Sequence, residues 1–385
     1  MNRKLAAWFL FFLSLILSLS GLIFVYTGAY FFSLSKGVSP YLYVIKQGIA
    51  LMIGILLALI VYTRFNYKKI ASKKFLWLIY LFANLLLLSV LIFGREINNS
   101  KSWIVVGGIS FQPAELAKVL VIIFVSGYIQ YKYYQIKDNW SYFLGFMFLA
   151  FLPVLLILAE GDLGSAMILS IVIFAVLFIT GFDTKYILTP VSAGAVLFAL
   201  AVVTAPYRLA RIKMLLDPKE YFQTSGKYSS YQLVQAFVAF AKGGLFGMGI
   251  GQGVQSKFLF LTFAFSDFMF AHIAEETGVI GALAVILSFF LFLYFGLSIA
   301  DRSDELVGRS MALGLTLYIF LQAMVHIGVN LGLLPTTGIT LPFMSLGGSS
   351  LIGCFLAVGL LMNIARLLPG ESKVGVKLDG RGRFA

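Results

Sequence analysis

A single cysteine, Cys354, excludes any disulfide within the chain. Two histidines, His272 and His326, and sixteen scattered acids leave no cluster with the ligand count or spacing of a structural zinc site. Any metal would take part of its coordination from a substrate. Charge of either sign is scarce, at 12% of 385 residues against 60% hydrophobic, and the mean hydropathy of +0.96 excludes a water-soluble domain. The short alternating segments of a membrane barrel are missing too. What is present instead is a series of apolar runs of about 18–25 residues, long enough as helices to cross a hydrocarbon core of about 30 Å. The expected fold is all-α, a polytopic integral membrane protein with about ten transmembrane helices.

The spans fall near 5–27, 44–62, 75–94, 113–131, 141–159, 164–182, 186–204, 277–299, 310–333 and 342–364. The first follows Arg3 and Lys4 as a signal peptide would, yet it is too long for one and lacks a small-residue cleavage site, so it reads as a helix. Lys and Arg set the orientation. With the N-terminus inside, Arg64, Lys68, Lys69, Lys73, Lys74, Lys132, Lys137, Lys185, Arg302 and Arg309 are cytoplasmic, as is the basic tail. Both termini are then cytoplasmic, and the net charge of +13 reflects this bias and attraction to anionic lipid rather than to nucleic acid. Residues 1–368 form the membrane domain, residues 205–276 a large extracytoplasmic loop between helices 7 and 8, and residues 369–385 a mobile basic tail.

Carboxylates beside hydrocarbon usually serve an ion, a proton or a substrate. Asp267, at the mouth of an apolar helix with Glu275 and Glu276 behind it, is the first candidate; complementing the helix dipole is its bland alternative. Glu115 and Lys118 share a helix face about one turn in, as a structural ion pair or as cleft groups. Asp162 follows Glu160 and Gly161, where it either caps the next helix or meets a sugar hydroxyl or divalent ion. Residues 330–350, dense in Pro, Gly and hydroxyls, read as irregular backbone walling a polar site, with Ser345 and Ser349 among its hydroxyls. Tyr231 through Phe237 begins an amphipathic helix expected at the membrane interface. The glycine-rich stretch 243–253 superficially suggests a phosphate loop, but no strand precedes it; a closely approached backbone is the stronger reading.

Together, Lys101-Ser-Trp-Ile, Phe111-Gln-Pro-Ala-Glu-Leu-Ala-Lys118, Gly161-Asp-Leu-Gly-Ser-Ala, Gly247-Met-Gly-Ile-Gly-Gln252, the run from Asp267 to Gly278 and that from Leu334 to Ser350 resemble the SEDS family of FtsW, RodA and SpoVE. The likeness covers about residues 20 to 366, and the loop after the first span looks more like the division branch. Ser266, the apolar approach 261–265, Glu160-Gly161, Leu346 and His272 depart from the family pattern.

The resemblance implies a peptidoglycan glycosyltransferase that polymerises lipid II at the outer face of the bacterial cytoplasmic membrane, in division or elongation, working with a class B penicillin-binding protein and other proteins of those complexes. By the same correspondence Asp267 is the essential acid, Glu115 and Lys118 the family's ion pair, and Asp162 the acid of its Asp-Leu-Gly motif. Asp267 is then expected to act as general base, with Arg208, Arg211, Lys101 and a divalent cation (Mg2+ or Mn2+) at Asp162 as candidates to meet the departing pyrophosphate. A lipid II flippase or other transporter is the competing expectation. It predicts inverted repeats and midplane charges, whereas the polar residues here gather at one face.

Overall fold

Backbone in hydrocarbon must satisfy its own hydrogen bonds, and the apolar runs accordingly fold as helices. The computed structural model describes residues 3–97, 100–107, 109–182, 184–204, 206–218, 220–222 and 230–367. In chain order the elements are α1 (Arg3–Ser35), α2 (Leu42–Arg64), α3 (Tyr67–Ile70), α4 (Lys73–Phe93), β1 (Arg95–Ile97), β2 (Ser100–Val106), β3 (Ile109–Phe111), α5 (Pro113–Asp138), α6 (Trp140–Ala159), α7 (Leu163–Ile179), α8 (Thr184–Val203), α9 (Pro206–Leu216), α10 (Tyr231–Gly243), α11 (Val254–Lys257), α12 (Met269–Asp301), α13 (Leu306–Asn330) and α14 (Gly348–Leu367). Among the described residues eight helices, α1, α2, α4, α5, α6, α12, α13 and α14, are long and apolar enough to cross a membrane. The other two expected spans fall on α7, with 17 residues, and α8, with 20. The chain is an all-helical polytopic membrane protein. The expected tail, 369–385, lies outside the described residues.

Three features differ from the sequence reading. A three-stranded antiparallel sheet, ordered β1-β2-β3, joins α4 to α5; β1 and β3 have three residues each and β2, Ser-Lys-Ser-Trp-Ile-Val-Val, does not alternate, so none shows a strand period in sequence. Helix α12 starts at Met269, well before the expected 277, so Asp267 stands directly at its entry. Helix α10 packs on the bundle, a contact its amphipathic pattern did not name. Its Leu233, Ala236, Ala239 and Gly243 form a buried face of small residues that lets it approach α12, with the Phe240 and Phe270 rings 5.8 Å apart.

The helices α5, α13 and α14 are mostly enclosed, while α1, α2, α4, α6 and α12 each keep an apolar flank exposed, as a bundle in lipid should. Along α13, Tyr318, Gln322, His326 and Asn330 recur at four-residue spacing and are all buried, a polar stripe in an apolar helix. The basic connections gather at one end of the bundle, where Lys68 pairs with Glu305 and Arg366 donates to Thr63 O at 3.0 Å. The opposite end carries the sheet, α9 to α11 and the segment 331–347.

The glycine-rich stretch has a structural task. Helix α12 breaks at Gly278, whose φ of 71° and ψ of −169° leave the helical region. The strap 244–249 fills the gap: Met248 N and Gly249 N donate to Glu275 O and Glu276 O at 2.9 and 3.0 Å, and Val279 N donates to Gly244 O at 2.9 Å. A Cβ on Gly247 or Gly278 would strike backbone of the other segment. The amides of Gly247, Met248 and Gly249 are spent on the carbonyls of Gly243, Glu275 and Glu276 rather than offered to a phosphate, which favours the closely approached backbone over a phosphate loop.

Candidate active site

A cleft of about 950 Å³ opens at the end opposite the basic connections, where α5, α7 and α12 begin. Asp267, Asp162, Glu115, Arg211, Gln112 and Trp103 are among its lining residues, and Phe263, Phe265 and Tyr43 make an aromatic wall. The segment 335–340, between α13 and α14, closes another side, as the density of Pro and hydroxyls suggested.

Asp267 is held by its backbone rather than by capping a helix. The carbonyls of Phe265, Ser266 and Asp267 accept, in turn, from Leu346 N at 2.8 Å, Ser345 Oγ at 2.7 Å and Asn330 Nδ2 at 3.1 Å. The first free amides of α12 go to the stripe on α13: Ala271 N donates to Asn330 Oδ1 at 3.0 Å and Phe270 N to His326 Nε2 at 3.4 Å. With those orphan donors served by other side chains, the Asp267 carboxylate is released from the dipole-capping role and points into the cleft. Burial raises its pKa above the ordinary carboxylate value, opposed by the Ser266 hydroxyl and the Arg211 guanidinium. Arg211 is fixed by a 2.7 Å bond to Thr336 O.

Asp162 caps the helix that follows it and also lines the cleft. One carboxylate oxygen accepts from Ser165 N at 2.9 Å and caps α7, while the other accepts from Gln112 Nε2 at 3.2 Å, and the side chain still lines the cleft. Its pKa is raised by burial, against the Ser165 amide and the Lys118 charge. Beneath lies the ion pair. Lys118 Nζ donates to Glu115 Oε1 at 2.8 Å and to Gln322 Oε1 at 2.9 Å, and Tyr318 OH donates to Glu115 Oε2 at 3.2 Å. Glu115 reaches the cleft; Lys118, 1% exposed, supports it from below.

The remaining expected residues are placed differently. Ser345 acts on the Asp267 loop from behind, and Ser349 Oγ accepts from Gln112 N at 2.9 Å, so both brace the cleft rather than line it. Lys101 turns away to donate to Leu91 O at the end of α4. Arg208 falls within α9, but its side chain lies outside the described residues. Sequence reasoning missed Gln322, Asn330, Tyr318 and Gln47. The first three were signalled by the four-residue polar spacing on α13. Gln47 bridges Ser345 O and Gly347 N, at 2.9 and 3.1 Å, from a helix with no such pattern.

Among the described residues no three histidines, cysteines or carboxylates converge on a point. Asp162 accepts one N–H bond at each carboxylate oxygen, from Ser165 N and Gln112 Nε2, which leaves lone pairs on both oxygens facing the cleft lining.

Known proteins resemble this chain in sequence and in fold. A probable peptidoglycan glycosyltransferase FtsW of Legionella pneumophila is 34% identical over 349 residues, covering 89% of this chain and 86% of that protein. Its counterpart in Nitrosomonas europaea is 40% identical over 288 residues, covering 73% and 72%. Among solved structures, a chain from a study of polymerization and crosslinking by a peptidoglycan synthase complex superposes with a TM-score of 0.73 at 29% identity, covering 93% of this chain and 97% of that one. The rod shape determining protein RodA of Thermus thermophilus gives 0.65 at 28% identity, covering 93% and 96%. The family described as cell cycle protein, FtsW, RodA and SpoVE, matches residues 7–368. With the match running from the first helix to the last, and the same fold in its solved relatives, the chain belongs to the FtsW, RodA and SpoVE family.

Proposed function

We propose that the chain is a peptidoglycan glycosyltransferase that polymerises lipid II at the extracytoplasmic face of the bacterial cytoplasmic membrane, with both termini in the cytoplasm. The single observation that carries this reading is the Asp267 carboxylate, freed from capping α12 and facing a cleft that also holds Arg211 and Asp162. The basic connections at the far end of the bundle support the orientation, because Lys and Arg are retained on the cytoplasmic side. The names of the relatives support the activity, and their FtsW designation favours division.

The reaction needs a base, a path for charge and a dry setting. Asp267, ionised, takes the proton from the 4-hydroxyl of the acceptor sugar. That oxygen forms its new bond to the anomeric carbon of the donor as the bond from that carbon to the polyprenyl pyrophosphate breaks with inversion. The pyrophosphate leaves with the electron pair, toward Arg211. The aromatic wall of Tyr43, Phe263 and Phe265 excludes water from the attacked carbon. A class B penicillin-binding protein is the proposed partner; a solved relative comes from a peptidoglycan synthase complex. The test is the chain length of products made by purified protein from lipid II, with and without that transpeptidase. Glycan strands support the reading, and translocation of lipid II across vesicles without polymer overturns it in favour of a flippase.

A further inference from the structure

The strap that wedges into α12 carries an apolar surface for which the reaction has no use. Between Lys242 and Lys257 the sequence contains no charged side chain. Within it Leu245, Phe246 and Ile250 are 64%, 80% and 58% exposed, and Met248 is exposed beside them. In water such a cluster on a loop would be costly, because each large apolar side chain left unburied forgoes its hydrophobic stabilisation.

Its depth can be read from α12. No charged residue lies between Glu276 and Asp301, and the helix from Val279 to Ala300 rises about 33 Å, the thickness of a hydrocarbon core. Val279 therefore sits at the edge of that core. The strap is tied to this level by Val279 N donating to Gly244 O at 2.9 Å and Ile280 N donating to Leu245 O at 3.4 Å. Its apolar side chains thus continue the exposed apolar flank of α12 formed by Val279, Ile280, Leu283 and Leu287, the kind of surface that meets acyl chains along a membrane span. Exposed Lys242 and Lys257 bracket the strap in sequence, the side-chain type that reaches for phosphate groups beside an apolar segment.

The geometry points to the 244–250 strap as an interfacial membrane anchor: Leu245, Phe246, Met248 and Ile250 are immersed among the acyl chains of the leaflet on the cleft side, and Lys242 and Lys257 contact anionic headgroups. The anchor ties the break in α12, and with it the entry turn that bears Asp267, to the bilayer surface. It does not depend on the reaction proposed above.

The test uses the full chain in nanodiscs of phosphatidylethanolamine and phosphatidylglycerol, with a nitroxide attached at Phe246→Cys or, as an independent variant, Ile250→Cys. Cys354 is fully buried and stays in place. Spin relaxation by oxygen, which concentrates in the bilayer, is compared with that by a water-soluble nickel chelate. Leu287→Cys on the lipid-facing flank gives the deep reference and Asp304→Cys in a polar turn the aqueous one. Both strap labels should show an oxygen-to-nickel ratio above that at position 304 and below that at 287. A ratio matching position 304 places the strap in water, and protection from both reagents places it against protein; either result overturns the anchor.

Discussion

The buried pair of Glu115 and Lys118 offers the sharpest energetic test of the bundle interior. Both side chains are nearly sealed, at 6% and 1% exposure, and their remaining valences go to Tyr318 and Gln322. Glu115→Leu leaves an ammonium in the core with one amide oxygen, and Lys118→Met leaves a carboxylate with one phenol. Each single change should cost about 3–5 kcal/mol, because the surviving charge stays desolvated without its counter-charge. Changing both removes both desolvation penalties along with the attraction, and leaves only Tyr318 and Gln322 short of a partner, at about 1–3 kcal/mol in total. Even at the low ends of the single costs the coupling is then at least about 3 kcal/mol. Reversible unfolding in mixed micelles, followed by circular dichroism across the four proteins of the cycle, measures it. If the double variant loses the sum of the two singles to within about 0.5 kcal/mol, the charges do not share one buried site and the reasoning is refuted.

The raised pKa of Asp267 sets the sign of a pH profile: the base works only when ionised, so polymerisation falls as pH drops through a value above the ordinary carboxylate range. Arg211→Leu removes a charge that favours ionisation, so it should move this acid limb to still higher pH; a shift downward, or none, contradicts the assignment. Gly278→Ala and Gly247→Ala place a Cβ on opposing backbone at φ of 71° and 81°, and should each lower stability by about 1–3 kcal/mol or more by thermal unfolding. Gly48→Ala, which meets open space, should leave the melting temperature unchanged or slightly raised, and equal behaviour of all three would remove the strap from the account.

Much of this architecture is written in local pattern. The eight long apolar helices follow from run length, and the Glu115 and Lys118 pair from three-residue spacing on a helix whose start Pro113 announces. Asp267 stands out because a carboxylate beside hydrocarbon is costly. The rest depends on contacts between distant segments. The strap joins residues 244–249 to 275–280 through backbone groups that any sequence possesses, so glycine signalled close approach without naming the partner. Ser345 and Ser349 read as cleft hydroxyls, but their partners, Ser266 O and Gln112 N, lie far off in the chain. Lys101 shows the same limit, since a long side chain can turn to a helix end as easily as to a cleft. The stripe from Tyr318 to Asn330 went unread although its signal is local, since four polar side chains on one face of a buried helix must have buried partners.

The central claim is that the Asp267 carboxylate is the base. Asn is nearly isosteric and cannot accept the proton, while the backbone bonds to Ser345 and Asn330 that hold this turn do not involve the side chain. Polymerisation of lipid II by purified Asp267→Asn, measured beside the wild type with melting temperatures to confirm folding, is the direct measurement. A loss of about 10²-fold or more with an unchanged melting temperature is predicted. Undiminished glycan product from a folded variant would contradict it.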